Sequence, residues 1–341
     1  MQRAQGQIVL SASDLNDFLA CEHLTVLERE VILGALQRPG DKPQHAEILA
    51  RLGDEHERRY LEGLRGSGLW IEEIERARVD GGERLQAFRR QADATKRAMQ
   101  AGAAIIYQAT FFDGTWLGHA DILRRVEVPS NLGEWSYEVE DTKLARSEKP
   151  YFLVQLCFYS ACVAEIQGRM PEHMYVVLGD GRRTAFRVSE FAPYERALKR
   201  RLERRIFHSN GTATYPYPCS HCNLCPWNGR CVEQRRRDDS PILVAGLSRL
   251  QDRRLRSGGI LTLEALAQPD VERPADIKST TFEKLRRQAR LQFDQRVALA
   301  KGLPDPYRYE LLPPAAPEEP PRGLTLLPKP SPGDVFFDME G

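Results

Sequence analysis

Apolar and polar residues follow two different periods along the first part of the chain. The cap signal Ser11-Ala-Ser13-Asp14 precedes apolar residues at helical spacing, which predicts a helix that continues to about residue 31 and carries Cys21. Two further charged stretches with the helical period predict helices over about 43–65 and 82–101.

The pattern then changes to runs of β-branched and aromatic residues, which are typical of strands. Three successive runs predict strands at 104–112, 115–128 and 134–145. A helix is predicted over about 149–167, and two more strands, at 173–180 and 184–191, flank a Gly-Asp-Gly-Arg turn. A basic helix then leads to a cysteine-rich loop. Helices around a mixed sheet predict an α/β fold.

Chain length and the glycine- and proline-containing stretches predict how the chain divides into domains and a linker. The 341 residues, 41% of them hydrophobic, predict a first domain over 1–238, followed by weaker signals. Residues 239–302 are typical of a helix-hairpin-helix module, with a turn at Gly258-Gly259 and a next helix from Thr262. Such turns bind DNA backbone through amides at helix N-termini, and a packing adaptor without DNA contact is the alternative. Residues 303–334 form a proline-rich linker.

Charge and targeting signals narrow the class of protein. The net charge of +1 gives no global attraction to nucleic acid, so any such contact depends on local patches. Basic runs at 199–205 and 235–237, and a basic helix at about 281–300, are such patches, with a solvated helix face as the alternative. No apolar run approaches a membrane span, and the N-terminus lacks a signal peptide, which predicts a cytoplasmic protein without a membrane partner.

Five of the seven cysteines are candidate metal ligands. Four lie together at Cys219, Cys222, Cys225 and Cys231, and Cys21 lies far upstream. In a reducing compartment, thiolates at this spacing indicate a soft metal centre rather than disulfides. The four clustered cysteines are one candidate, as a zinc site; Cys222, Cys225 and Cys231 with Cys21 are the other, as an iron–sulfur site. Cys157 and Cys162 fall in an apolar helix and are predicted core residues.

The predicted strands carry a second candidate site. Asp121 lies on one strand, and Asp141 and Lys143 lie two residues apart on the next, so that both project from one face. Paired carboxylates hold a divalent cation, and the lysine can orient the attacking water or offset charge in a transition state. On the following helix, Gln155 and Tyr159 share a face and can point at the same place, although such a pair is more often packing.

This order of residues resembles the signature of RecB-type nucleases in the PD-(D/E)xK superfamily. His56, in Gly53-x-x-His56-Glu57, resembles the metal-binding histidine that precedes the two carboxylates in that subgroup. The C-x-x-C-x5-C spacing with an upstream cysteine is similar to the iron–sulfur branch, which includes the AddB nuclease domain and the CRISPR-associated adaptation nuclease. The resemblance covers about residues 8–235.

The resemblance implies a PD-(D/E)xK core, a mixed sheet flanked by helices, joined by a structural [4Fe–4S] cluster. Its implied cluster ligands are Cys21, Cys222, Cys225 and Cys231, with Cys219 as a surplus cysteine that keeps the zinc alternative open. The implied ligands of Mg²⁺ or Mn²⁺ are His56, Asp121, Asp141 and the backbone carbonyl of Thr142. Lys143 would position water, and Gln155 and Tyr159 would contact substrate phosphates.

The expected activity is therefore metal-dependent hydrolysis of DNA phosphodiester bonds. We expect an exonuclease on single-stranded or end-processed DNA, in repair, recombination or defence. The alternative is a non-catalytic DNA-binding or scaffold module of a larger helicase–nuclease protein. The run at 335–341, with Asp338 and Glu340, resembles the first strand of an RNase H-like DEDD exonuclease domain, which predicts that the chain is a fragment of a protein with a helicase or further nuclease domain.

Overall fold

The fold is described from a computed structural model that covers residues 1–40, 44–75, 83–208, 214–311, 320–321 and 323–335. The protein divides into two compact units, Met1–Gln234 and Arg235–Gly341. The first unit is α/β and contains a mixed sheet with helices on its faces. The second unit is helical where the structure describes it.

The strands of the first unit form one sheet. They are β1 (Gln2–Ala4), β2 (Gln7–Ser11), β3 (Ile71–Glu73), β4 (Ile105–Phe112), β5 (Trp116–Val126), β6 (Ser136–Lys143), β7 (His173–Leu178) and β8 (Arg183–Arg187). The order β1-β2-β5-β6-β7-β8 runs across the sheet, and β4 pairs with both β3 and β5. The pairs β2–β5, β3–β4 and β6–β7 are parallel, while the others are antiparallel.

Seven α-helices begin in this unit among the residues that the structure describes. They are α1 (Ala12–Ala20), α2 (Glu22–Ile32), α3 (Gln44–Gly66), α4 (Arg84–Ala101), α5 (Pro150–Gln167), α6 (Val188–Glu203) and α7 (Asn228–Arg237). Helix α5 is apolar on all sides because it lies between the sheet and its neighbours α1 and α6. Helix α3 covers the opposite face, where Leu61 packs against Ile105, Tyr107 and Ile122.

The structure differs from the sequence prediction in four local features. Cys21 does not lie within one long helix; it has extended backbone angles and separates α1 from α2, whose first turn it precedes. The strand predicted at 184–191 ends at Arg187, because Val188 begins α6. Cys231 lies on α7 rather than in a loop. Strands β1, β2 and β3 were not predicted, since runs of three to five residues carry little periodic signal.

The second unit contains three α-helices among its described residues: α8 (Arg249–Ser257), α9 (Leu263–Ala267) and α10 (Ser279–Ala300). The predicted helix, Gly258-Gly259 turn and helix are confirmed as structural elements. Ser248 and Thr262 cap α8 and α9 by accepting hydrogen bonds from the backbone N–H groups of Gln251 and Ala265. The buried Leu255, Leu263 and Phe282 belong to this unit.

Candidate active site

The candidate site begins at an interruption in the sheet beside β5. On one edge, β5 pairs with β2 only at Trp116 and Leu117 and with β6 only from Ile122 onward. Residues 118–121 therefore lie between the β2–β5 ladder and the β5–β6 ladder and pair with neither β2 nor β6. This leaves a slot in the sheet, with Gly118 and Asp121 on its border.

The Asp121 carboxylate bridges the place where β5 and β6 part. The ladder ends at the pair Ile122 and Glu140, and the next positions along these strands would be Asp121 and Asp141. Asp121 Oδ2 instead accepts hydrogen bonds from the Thr142 backbone N–H at 2.9 Å and from Thr142 Oγ1 at 3.1 Å. One carboxylate oxygen thus substitutes for a strand partner, and the two acidic residues are held beside each other.

Asp141 is the fully buried member of this pair. Neither carboxylate oxygen receives a hydrogen bond from the described residues, although the Lys143 ammonium forms an ion pair with Oδ2. Burial, and then the negative charge of Asp121, raises the pKa of Asp141 to about 8 against the opposing effect of Lys143. A buried carboxylate with unsatisfied oxygens has the chemistry that a divalent cation would complement.

Lys143 is cationic in this setting. Burial disfavours its charged form, but the carboxylates of Asp141 and Asp121 outweigh that effect and raise its pKa. Its ammonium also lies 5.7 Å from the centre of the Phe152 ring in the first turn of α5. Strand β6 and helix α5 therefore hold the Lys143 ammonium beside the carboxylates of Asp121 and Asp141.

His56 approaches the same strands from α3. Its ring is buried, and Nε2 lies 3.5 Å from the carbonyl oxygen of Val177 on β7. Val177 pairs with Thr142, the residue that bonds Asp121. The structure thus brings His56 over the strand positions that neighbour the two carboxylates, with its ring close to backbone rather than to a carboxylate.

Gln155 and Tyr159 form a pair on α5, as their spacing predicted. Gln155 Nε2 donates to Tyr159 Oη at 3.1 Å. The Tyr159 ring packs beside Gly118, where a Cβ atom would lie 3.2 Å from Tyr159 Cε1 and 2.9 Å from Phe158 Cε1. Gly118 therefore allows α5 to approach the slot in the sheet closely, and this places Tyr159 at its border.

The sequence pattern assigned no role to three residues of this region: Glu57, Gln108 and Glu140. Glu140, next to Asp141, is fully buried on the α3 side and accepts hydrogen bonds from Tyr60, Arg124 and Arg183. Glu57 accepts a hydrogen bond from the side-chain amide of Gln108. Burial, and then the contact with Glu57, raises the pKa of the Tyr107 phenol. The motif Gly53-x-x-His56-Glu57 pointed to His56 and gave Glu57 no role of its own. The partners of Glu140 and Gln108 lie far away in sequence, so no local pattern indicated them.

The distant cysteines meet in the first unit. Cys21, Cys225 and Cys231 pack in one cluster with Leu24, Leu27 and Trp227. Trp227 Nε1 donates to Glu28 Oε1 at 2.7 Å, which joins the cysteine segment to α2. Burial, opposed in part by a backbone hydrogen bond, raises the pKa of Cys225 to about 11, with further contributions from Cys21 and Cys222.

Cys219 and Cys222 complete the group. Cys219 precedes the short 3-10 turn Ser220–Asn223 and Cys222 lies within it, and their sulfur atoms are 3.8 Å apart. All five cysteines of interest are free thiols, and Cys157 is buried in the α5 core as predicted. Across the described residues, no group of three or more His, Cys, Asp or Glu side chains has the spacing of a formed metal site.

Other predicted features fall outside this site. Arg286, Arg287 and Arg290 on α10 line a groove with Tyr309, and each forms an ion pair with a nearby carboxylate. Asp338 and Glu340 lie outside the described residues. Within the described part of the chain, no helix has the length and apolar character needed to cross a bilayer.

Comparison with protein-family models and with curated proteins gives no match for this chain. The functional interpretation therefore depends on the geometry of the residues themselves. Two groupings stand out in that geometry: the acidic pair with its lysine, and the five cysteines.

Proposed function

We propose that the first unit is a metal-dependent deoxyribonuclease of the RecB-like, PD-(D/E)xK type. The observation that supports this most is Asp141, a fully buried carboxylate with two unsatisfied oxygens, beside Asp121 and Lys143 at the point where two strands part. Burial and the charge of Asp121 disfavour this carboxylate more than Lys143 stabilises it, and a bound cation would offset that cost. A function that needs the charge explains its presence.

In this proposal, Asp121, Asp141, His56 and the Thr142 carbonyl hold Mg²⁺ or Mn²⁺, which stabilises negative charge on a phosphodiester undergoing hydrolysis. Lys143 orients the attacking water, because its ammonium is already fixed beside Asp141. Gln155 and Tyr159 contact a substrate phosphate from the border of the slot. Asp141 must lose its proton before a cation binds, so the raised pKa couples cation binding to pH.

We further propose that Cys21, Cys222, Cys225 and Cys231 hold a [4Fe–4S] cluster with a structural role. The support is the shared packing of Cys21 with Cys225 and Cys231, which come from segments about 200 residues apart. Four thiolates are the ligand set of such a cluster. A cluster here would cross-link α1 and α2 to the end of the first unit.

The test of the nuclease is cleavage of end-labelled DNA, single- and double-stranded, with Mg²⁺ or Mn²⁺ and with EDTA. We expect cation-dependent cleavage that Asp141→Asn and Lys143→Ala abolish, while DNA binding survives. Glu138→Gln is the matched control, since Glu138 lies on the same strand but bonds His173 N–H and Tyr175 Oη instead. Full activity in Asp141→Asn would reject the site, and DNA binding without cleavage by the wild type would favour a scaffold role.

A further inference from the structure

Gln108 has a backbone conformation that is unusual for its residue type. Its φ is +57°, in the left-handed region that costs a side chain about 1–2 kcal/mol. The β4–β5 ladder pairs Tyr107 with Ile122 and Ala109 with Ala120, so the register places Gln108 across from Asp121. The strained residue and the candidate metal ligand are therefore neighbours on adjacent strands.

This conformation changes which side chains face α3. Consecutive residues in a regular strand point to opposite faces of the sheet. Tyr107 and Gln108 both contact Glu57 on α3, which the turned backbone at Gln108 permits. The core packing records the same shift, because Ile106 and Ala109, three residues apart, both belong to the cluster beneath α5.

The contact that results lies beside the candidate site. The Gln108 amide donates to Glu57, which follows His56 on α3. One turn later, Tyr60 donates to Glu140, which precedes Asp141 on β6. Helix α3 is thus fixed at two successive points, one on the strand next to Asp121 and one on the strand of Asp141. The first point depends on a strained residue, and strain of this kind persists where function requires it.

We infer that Gln108 is a positioning residue: through Glu57 it sets His56 and α3 over the two carboxylates. This inference rests on the proposed function, since it assigns Gln108 to the cation site of that nuclease. Gln108 itself need not touch the cation. A residue that orients a ligand in this way typically contributes 10–100-fold to metal affinity or activity.

The strain makes the inference testable, because stability and function should change in opposite directions. Gln108→Gly removes the amide and relieves the left-handed conformation, so we expect an unchanged or higher melting temperature for the cation-free protein. At the same time, we expect Mn²⁺ affinity, measured by calorimetric titration, and DNA cleavage each to fall about 10-fold or more. Gln5→Gly is the matched control, because Gln5 has φ +48° in the β1–β2 turn, away from the site.

Gln5→Gly should keep wild-type Mn²⁺ affinity and cleavage. Gln108→Asn, which tolerates the left-handed conformation but has a shorter amide, should fall between wild type and Gln108→Gly. Wild-type affinity and cleavage in Gln108→Gly would overturn the inference and leave the nuclease proposal intact. A lower melting temperature together with lost affinity would also overturn it, because Gln108 would then serve the fold alone. Mn²⁺ binding that depends on Gln108, without DNA cleavage by the wild type, would contradict only the nuclease proposal.

Discussion

Two adjacent, fully buried carboxylates on β6 should respond in opposite ways to loss of charge. Glu140 accepts hydrogen bonds from Arg124 at 3.0 and 3.2 Å, from Arg183 at 2.8 Å and from Tyr60. Among the described residues, Asp141 is paired with the Lys143 ammonium alone and faces the second carboxylate of Asp121. The perturbation is therefore a pair of near-isosteric substitutions, Glu140→Gln and Asp141→Asn.

The magnitudes follow from these contacts. A hydrogen bond to a charged group contributes about 1.5–3 kcal/mol, and one between neutral groups about 1 kcal/mol, so Glu140→Gln loses part of the strength of four hydrogen bonds from three residues. The side chains of Arg124 and Arg183 are 25% and 35% exposed, and water compensates them in part. We expect a loss of about 2–3 kcal/mol in the free energy of unfolding. Asp141→Asn removes a charge that burial and Asp121 disfavour more than Lys143 favours it, so we expect a gain of about 1 kcal/mol.

The assay is urea unfolding at pH 8 in EDTA, followed by tryptophan fluorescence. Glu138→Gln is again the control, because neutral donors bond this carboxylate and its neutralisation should cost less than that of Glu140. The reasoning predicts opposite signs for the two test variants. A comparable loss of stability in both variants would refute it, since Asp141 would then be stabilising the fold without a cation.

The remaining predictions concern pH, the cysteines and packing. The Asp141 pKa, raised to about 8, means that this group lowers the stability of the cation-free protein as pH rises from about 4 through 8. The rise in melting temperature with Mn²⁺ should accordingly be larger at pH 9 than at pH 6, and equal shifts at both pH values would contradict this. Cys21→Ser should lose iron on anaerobic purification and lose up to ~5 kcal/mol of cross-link stabilisation, whereas Cys219→Ser keeps both; zinc content that depends on Cys219 would reverse the assignment. Gly118→Ala should cost about 1–3 kcal/mol in a thermal or urea unfolding assay, because its Cβ would lie 2.9 Å from the Phe158 ring, while Gly229→Ala, with open space around it, should not destabilise.

The sequence predicted the helices and long strands because their periods are sustained over many residues. Strand spacing also placed Asp141 and Lys143 together, because residues two positions apart on a strand share a face whatever the rest of the fold does. The contact of Asp121 with the Thr142 backbone could not be predicted, because it arises where a ladder stops rather than where it continues. The positive φ of Gln108 was equally hidden, since no glycine or asparagine marks it.

The cysteines show the same division. Local spacing indicated a cluster at 219–231, but the break at Cys21 depends on contacts that only the folded chain makes. Cys21 directly precedes α2, and α2 is held by partners from residues 204–231: His23 bonds Thr214, and Arg29 donates to the Ile206 carbonyl. A helix pattern through residue 31 is therefore a correct description of the propensity and a wrong one of the backbone.

These long-range partners of α2 also set the order in which the protein can be assembled during its synthesis. His23 and Glu28 form hydrogen bonds with partners that lie 191 and 199 residues further along the chain, Thr214 and Trp227. At about 5–20 residues per second, this corresponds to roughly 10–40 s during which Leu24 and Leu27 are made but cannot be covered by Trp227. Helix α2 is thus synthesised well before the residues that cover it. Cys21 and the cysteines at 219–231 therefore emerge at different times, and they can meet only after the later segment has been synthesised.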